Sequence, residues 1–392
     1  MVVFSAFMLV IVVAFFIPRK HLKIYFVFLS FILGGLYFFF YPSEDYDLYR
    51  HYEMAEILKD FSFNDVIIPN SGIVTSNYIL NRYLRGNRVF VVYSYIISRS
   101  NIEHLLPVIT GFIVLFLITR RIWKESENYR YSKGTILSGL VFFLFLFDYR
   151  SISSIRNVFA FAVFTYVLYQ DVVRGKNRIW CFLAYLLLCQ IHSVIYIFVA
   201  LRCLLLITNR YTKIAIGLMV FMSYALNGQI VSLLSHISEF KFVTEFIGRI
   251  ISYSGGGTDF SLKRGIFRGG VMLVYLLIYF SGSKDLNTKK GMRDYGYFFV
   301  LTFLFTAGSM TQYDIFIRND MILLMLLMPY YLRFAEDYFS FRNCRIVIRS
   351  VAVKNYSFRL IPVIVSGTVI LSLMYYVYAF YSFMDPLFKF CI

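Results

Sequence analysis

Residues 24–41, "IYFVFLSFILGGLYFFFY", contain no charged side chain, and apolar runs of similar length recur at 105–119, 214–230 and 360–382. A run of about 20 apolar residues is what a helix needs to cross a hydrocarbon core about 30 Å thick. The pattern extends along the whole chain. Its 59% hydrophobic, 20% aromatic and 16% charged residues depart from the soluble average of roughly 45–50% apolar and about 25% charged. The longest polar stretch, 42–104, is itself studded with tyrosine, isoleucine and valine, so no soluble domain fits. The expectation is an all-α polytopic integral membrane protein, a single membrane-embedded domain over 1–392.

Twelve spans are expected, at 2–17, 24–41, 105–119, 135–148, 154–171, 179–191, 193–208, 214–230, 266–281, 295–308, 316–332 and 360–382. The first lacks the basic leader and small-residue cleavage site of a signal peptide. Orientation follows from Lys and Arg, because basic loops stay in the cytoplasm. One alternating set of loops, 18–23, 120–134, 171–178, 202–213, 282–294 and 333–359, holds 24 of the 39 basic and 7 of the 22 acidic residues. The complementary set holds 15 of each, so the net charge of +17 is accounted for by orientation. Both termini then lie outside, and no nucleic-acid motif accompanies the basic segments. Five cysteines without metal-ligand spacing predict neither disulfides nor structural zinc, and no carboxylate pair asks for a divalent metal.

Between the basic segments 174–178 and 209–213 the chain must cross an even number of times. Only thirty apolar residues, 179–208, are available, roughly 45 Å of helix and short for two full crossings. A tight hairpin is predicted, its apex "CQIHSV" (189–194) dipping below the outer surface and carrying His192.

The outer segments hold the polar chemistry. In 42–104, Leu48, Tyr52, Ala55 and Leu58 recur with helical spacing, while Glu53, Glu56 and Asp60 lie off that stripe, which predicts a short helix resting on the membrane or the bundle. The run 88–98 is too short to span and reads as a re-entrant or surface helix. In 231–265, Val243, Phe246, Ile247, Ile250 and Ile251 form an interfacial stripe, followed by three glycines at 255–257. That segment is either a pliable cover over a membrane cavity or a plain interfacial anchor.

In "FLFDYRSISSIRNVFAFAVF" (145–164), Asp148, Arg150 and Arg156 interrupt an apolar stretch, and Arg156 falls near the outer start of a helix. Arg318 begins another within "TQYDIFIRND", and Arg264 and Arg268 a third. Arginine at or below the membrane surface is costly and faces the protein interior or a watery cavity. Each of these either snorkels to headgroups, pairs with Asp148, Asp314 or Asp320, or contributes to an anion site. Collectively they favour the last, since the guanidinium fork matches phosphate oxygens. A lipid-linked diphosphate brings such an anion to that depth.

With Asp45, Asp47, Tyr49 and Tyr52 in "EDYDLYRHY" after the second span, the Arg-start helix "IRNVFAFAVF", the "IHS" at a helix break and the late "IRNDMILLMLLMP", the chain resembles the Wzy-type oligosaccharide repeat-unit polymerases, in particular their EpsG-like branch. It departs from their pattern at Asn157 and Val158. The resemblance implies a GT-C-like membrane glycosyltransferase of the bacterial cytoplasmic (inner) membrane. Such an enzyme moves a growing glycan from undecaprenyl diphosphate onto a hydroxyl of the next lipid-linked repeat unit, at the outer face and beside a chain-length regulator. Arg156 and Arg318, with Arg150, Arg264 and Arg268 behind them, would stabilise the departing diphosphate. His192 is the first choice of base, and Asp45, Asp47 or Asp148 are alternatives. The Asp45/Asp47 pair with Tyr46 and Tyr49 would contact sugar hydroxyls, or else form a plain solvated loop, and no cofactor is implied. A lone histidine in an apolar hairpin also suits a plain structural role at a broken helix.

Other classes carry different signatures. A lipid-linked oligosaccharide flippase should show two similar halves and cations through the membrane depth, and neither is visible. An O-antigen ligase would share the fold and the arginine chemistry. A membrane acyltransferase would carry a basic/histidine pair in its first spans, where only His21 stands, in a cytoplasmic turn.

Overall fold

In the computed structural model of the chain, the structure describes residues 9, 12–42, 47–67, 87–146, 154–176, 178–207, 209–222, 262–310, 313–339 and 388–390. Most of the expected first span, the whole of the twelfth, the interfacial helix at 243–251 and the glycines at 255–257 lie outside them.

The described chain is almost entirely helical. Helix α1 (Leu22–Leu36) lies between two 3-10 turns and runs into strand β1 (Phe40–Pro42). The short helices α2 (Asp47–Leu58), α3 (Phe63–Ile67) and α4 (Arg88–Ser98) follow. Then come α5 (Leu105–Tyr129), α6 (Lys133–Leu146) and α7 (Ile155–Leu168), the last continued by a π-turn at Tyr169–Val173. Helices α8 (Arg178–Cys189), α9 (Ile195–Cys203) and α10 (Arg210–Met222) lead to α11 (Leu262–Leu286), α12 (Lys290–Gly308) and α13 (Tyr313–Phe339). Strand β2 (Phe388–Phe390) pairs antiparallel with β1, Phe40 opposite Phe390.

Among the described residues three helical segments are long and apolar enough to cross a membrane: Arg19–Phe39, Leu105–Tyr129 and Ile315–Asp337. The other apolar helices among the described residues are shorter than a crossing requires or more interrupted by charge, so three of the twelve expected spans, those at 24–41, 105–119 and 316–332, are met by such helices here. The apolar residues do not all turn inward. Phe31 is 69% exposed, Trp180 67%, Phe280 65% and Leu218 61%, an outward apolar surface expected of a body surrounded by hydrocarbon rather than water.

Helix α13 is the central member. Ile322, Leu323, Leu326, Leu327 and Tyr330 are fully buried, so it is apolar around its circumference, as a helix enclosed by others must be. It packs against α5, α6, α7, α11 and α12. Pro329 lies inside it. Proline has no N–H for the carbonyl four residues back, and that carbonyl, Met325 O, accepts a bond from Arg121 Nη1 at 3.2 Å. Leu326 O accepts from the Tyr295 hydroxyl at 3.2 Å, and Arg121 Nη2 donates to that hydroxyl in turn. Arg121 is 4% exposed. The expected span 105–119 therefore ends too early: the helix continues to Tyr129, and Arg121, assigned by sequence to the loop 120–134, bonds a carbonyl that the proline leaves open inside the bundle.

The thirty-residue apolar run folds as the predicted hairpin. Helices α8 and α9 have 12 and 9 residues, roughly 18 Å and 14 Å of rise, and neither crosses a full bilayer core. The break lies at 190–194, where His192 N donates to Leu188 O at 3.0 Å and Ile195 N to His192 O at 3.1 Å. Helix α2 buries Leu48, Tyr52, Ala55 and Leu58 as their spacing predicted, together with His51 and Met54. Its carbonyl end is closed by Arg99, whose guanidinium donates to Leu58 O (3.2 Å), Lys59 O (3.1 Å) and Phe61 O, satisfying groups a helix terminus leaves open.

Candidate functional site

Three segments distant in sequence bring cationic and imidazole side chains together. Helix α2 contributes His51, fully buried because it falls within the apolar stripe between Leu48 and Ala55. The first turn of α7 contributes Arg156, half-buried. The α8–α9 break contributes His192, 9% exposed. Phe90 of α4 joins the first two: its ring centroid is 4.9 Å from that of His51 and 5.8 Å from the Arg156 guanidinium carbon. Phe161, one and a half turns along α7 from Arg156, has its ring centroid 6.5 Å from that of His192.

The electrostatics follow from this crowding. Burial, then the nearby charge of Arg156, then His192 and Arg50, hold the His51 imidazole well below its ordinary value of 6.5, since desolvation and like charge both disfavour the imidazolium. His192 is fixed differently. Its Nδ1 accepts a bond from the Val194 amide at 3.1 Å. An amide can only donate, so Nδ1 is unprotonated and the neutral ring carries its hydrogen on Nε2. As placed, His192 presents a donor.

Around this centre, Tyr93 of α4 stacks on Phe159 of α7 with centroids 5.6 Å apart and shares a 2.9 Å bond with Thr110 of α5. The Tyr52 hydroxyl donates to Phe40 O at 3.1 Å, tying α2 to the β1–β2 pair. Asn157 is 2% exposed, and its Oδ1 has no hydrogen-bond partner among the described residues.

Of the other residues singled out from sequence, Asp47 and Tyr49 lie on α2, with Asp47 sharing the face of His51 four residues on. Asp47 forms a 3.9 Å pair with Arg50 at the surface. Arg318 is half-buried on α13, beside the buried Asn319, which donates to Ser309 Oγ at 3.4 Å. The helices bearing Arg156 and Arg318 pack on each other, and α11, whose first turns carry Arg264 and Arg268, packs on the second of them. The side chains of Arg264 and Arg268, and all of Asp45, Asp148 and Arg150, lie outside the described residues. His51 is the residue sequence reasoning passed over. Its signal was available: it is three residues after Leu48 and four before Ala55, a titratable side chain within an apolar stripe.

Fold and composition define a helical membrane protein. Comparison of the chain with protein-family models, with curated proteins and with solved structures finds no match.

Proposed function

We propose that this protein is a multi-pass glycosyltransferase that polymerises lipid-diphosphate-linked oligosaccharide repeat units on the outer face of the bacterial cytoplasmic membrane. The observation that carries the reading is the meeting of Arg156, His192 and His51 at one end of the helical body. Arg156 and His192 were chosen from sequence for this chemistry, and they come from segments far apart in the chain. On this reading both termini, segment 42–104 and the 190–194 break face outward, and the basic loops face the cytoplasm.

The reaction assigns each group a task. The acceptor hydroxyl loses its proton to a base, its oxygen bonds to the anomeric carbon, and the bond from that carbon to the undecaprenyl diphosphate breaks with its electrons leaving on the diphosphate. Arg156, with Arg318 on the adjoining helix, stabilises that growing charge more in the transition state than before it. His51, kept uncharged by its surroundings, is the imidazole suited to receive the proton. His192 offers Nε2–H to the diphosphate or to a sugar oxygen. Asp47 and Tyr49 lie on the helix that presents His51 and serve the sugar. A chain-length regulator is the protein partner this function calls for.

The test is the size-resolved glycan of a strain lacking the gene, complemented with wild type or with Arg156→Ala. A ladder collapsed to single repeat units on the outer face, restored by wild type and not by a variant that still reaches the membrane, is the expected result. Loss of outer units altogether would place the defect in export or ligation instead, and an unchanged ladder would remove the chain from polymerisation.

A further inference from the structure

At the opposite end of the body, where the basic loops gather, three segments enclose a cavity of about 340 Å³. The end of α5 supplies Asn128 and Tyr129, the π-turn and the residue after it supply Tyr169 and Arg174, and the start of α12 supplies Lys289 and Met292. We propose that this cavity binds a phosphate ester presented from the cytoplasmic side. The proposal rests on the fold and its charges, and not on the polymerase reading.

The charges decide the sign of the ligand. Beneath the cavity, Glu125 is 1% and Arg121 4% exposed, and Glu125 is within electrostatic reach of Arg121 and Arg174. One buried carboxylate offsets one buried guanidinium, which leaves Arg174 and Lys289 at the wall in excess. The surroundings add to them: Arg120, Arg174 and Lys176 all act on Lys124, against the single acidic influence of Glu127. Both wall cations lie over aromatic faces, the Arg174 guanidinium carbon 5.8 Å from the Tyr169 centroid and Lys289 Nζ 5.7 Å from that of Tyr129. Such contacts orient a cation while leaving its hydrogens for an anion.

The cavity is built rather than incidental. Two of its walls meet at Gly291, where a Cβ would lie 2.7 Å from Val172 O and 3.0 Å from Val173 Cα, so only glycine lets α12 start against the π-turn. That turn inserts an extra residue into the helix, a device concentrated at functional sites. The volume falls at the small end of the range for small-molecule sites. It exceeds what a bare phosphate fills and suits a phosphate with a glycerol- or sugar-sized group attached, for which Asn128 and the tyrosine rings provide polar and flat contacts.

Two sources present this chemistry, the headgroup of an anionic lipid and a soluble phosphate ester. Isothermal titration of the purified full-length protein in detergent with dihexanoyl phosphatidylglycerol and, separately, with glycerol 1-phosphate distinguishes them. Saturable binding of at least one probe is expected, weakened tenfold or more by Arg174→Gln and by Lys289→Gln. Binding of the lipid alone assigns the site to a leaflet headgroup, and binding of glycerol 1-phosphate shows that the ester suffices without acyl chains. Lys289 is exposed, so its substitution leaves the packed helices intact, and an unchanged unfolding midpoint verifies this. Absence of binding by both probes, or equal affinity in wild type and both variants, overturns the proposal.

Discussion

His51 is buried beside Arg156 and within reach of His192, so the fold stabilises its neutral form, and a dependence on pH follows. Below 6.5 the unfolded chain takes up a proton there that the native protein refuses, so native stability falls as pH drops, by about 1.4 kcal/mol per pH unit until the depressed native value is reached. The apparent unfolding temperature should therefore decline more steeply between pH 7 and 5 in wild type than in His51→Gln. Parallel profiles would show that the site does not hold the ring neutral. The two histidines also separate by substitution. Glutamine can place an N–H where an imidazole has Nε2–H but cannot accept a proton. His192→Gln should keep measurable polymer while His192→Ala and His51→Gln lose it, read as glycan chain length at equal membrane abundance. Failure of His192→Gln would return the proton-accepting role to His192. Arg156 and His192 were legible in the sequence because each interrupts apolar chain at a predicted helix edge. Arg121 was not, because charge counting treats every arginine near a span end as solvated, and nothing local marks the one that turns inward.

Pro329 and Arg121 form a pair between elements. The proline opens a carbonyl in the most enclosed helix, and the arginine of α5 occupies it. Removing the arginine strands Met325 O and takes from the buried Glu125 its neighbouring positive charge, a loss of about 2–4 kcal/mol by the usual cost of unpaired buried groups. Pro329→Ala restores an N–H to Met325 O, so Arg121→Met should cost less in that background, by about 1 kcal/mol for the bond regained. Thermal unfolding of the four proteins gives the coupling directly, and additive effects would mean that the two residues do not compensate each other. Sequence shows the proline and predicts an orphaned carbonyl, but the donor is 208 positions upstream of it and becomes visible only once α5 and α13 are side by side. The glycine doublet at 34–35 makes the same point. A Cβ on Gly34 would lie 2.8 Å from the Phe112 amide nitrogen, whereas one on Gly35 would meet nothing within 4 Å. The two residues read alike in the chain, and only the approach of α1 to α5 distinguishes them.

Across the whole molecule, polar contacts sort by the loop sets that charge counting defined. Segments of the basic set bind one another. Arg202 pairs with Asp171 at 2.7 Å, and the Tyr185 hydroxyl donates to the same carboxylate at 3.1 Å. Arg333 meets Asp285, and Glu336 accepts from Ser132 N at 2.7 Å and Thr135 Oγ1 at 2.6 Å. At the other end the contacts lie within 42–104 or run from it to a helix edge: Arg99 closes α2, Tyr52 reaches Phe40 O, and Phe90 lies against Arg156. The loops that charge counting grouped as basic thus meet one another at one end of the described body. Helices α8 and α9 are each shorter than a crossing requires, so an apolar run points to the solvent around it and leaves open how far it travels. If the two ends face opposite compartments, a cysteine at Ile102, 42% exposed on the α4–α5 turn, and one at Glu127, exposed near the far end of α5, lie on opposite sides of the membrane. In a background without the native cysteines, a membrane-impermeant maleimide applied to spheroplasts should label Ile102→Cys at once and Glu127→Cys only after permeabilisation. The reverse order would invert the protein, carrying the Arg156 cluster to the cytoplasm and the phosphate-ester cavity outward, while labelling of both without permeabilisation would mean that α5 does not cross.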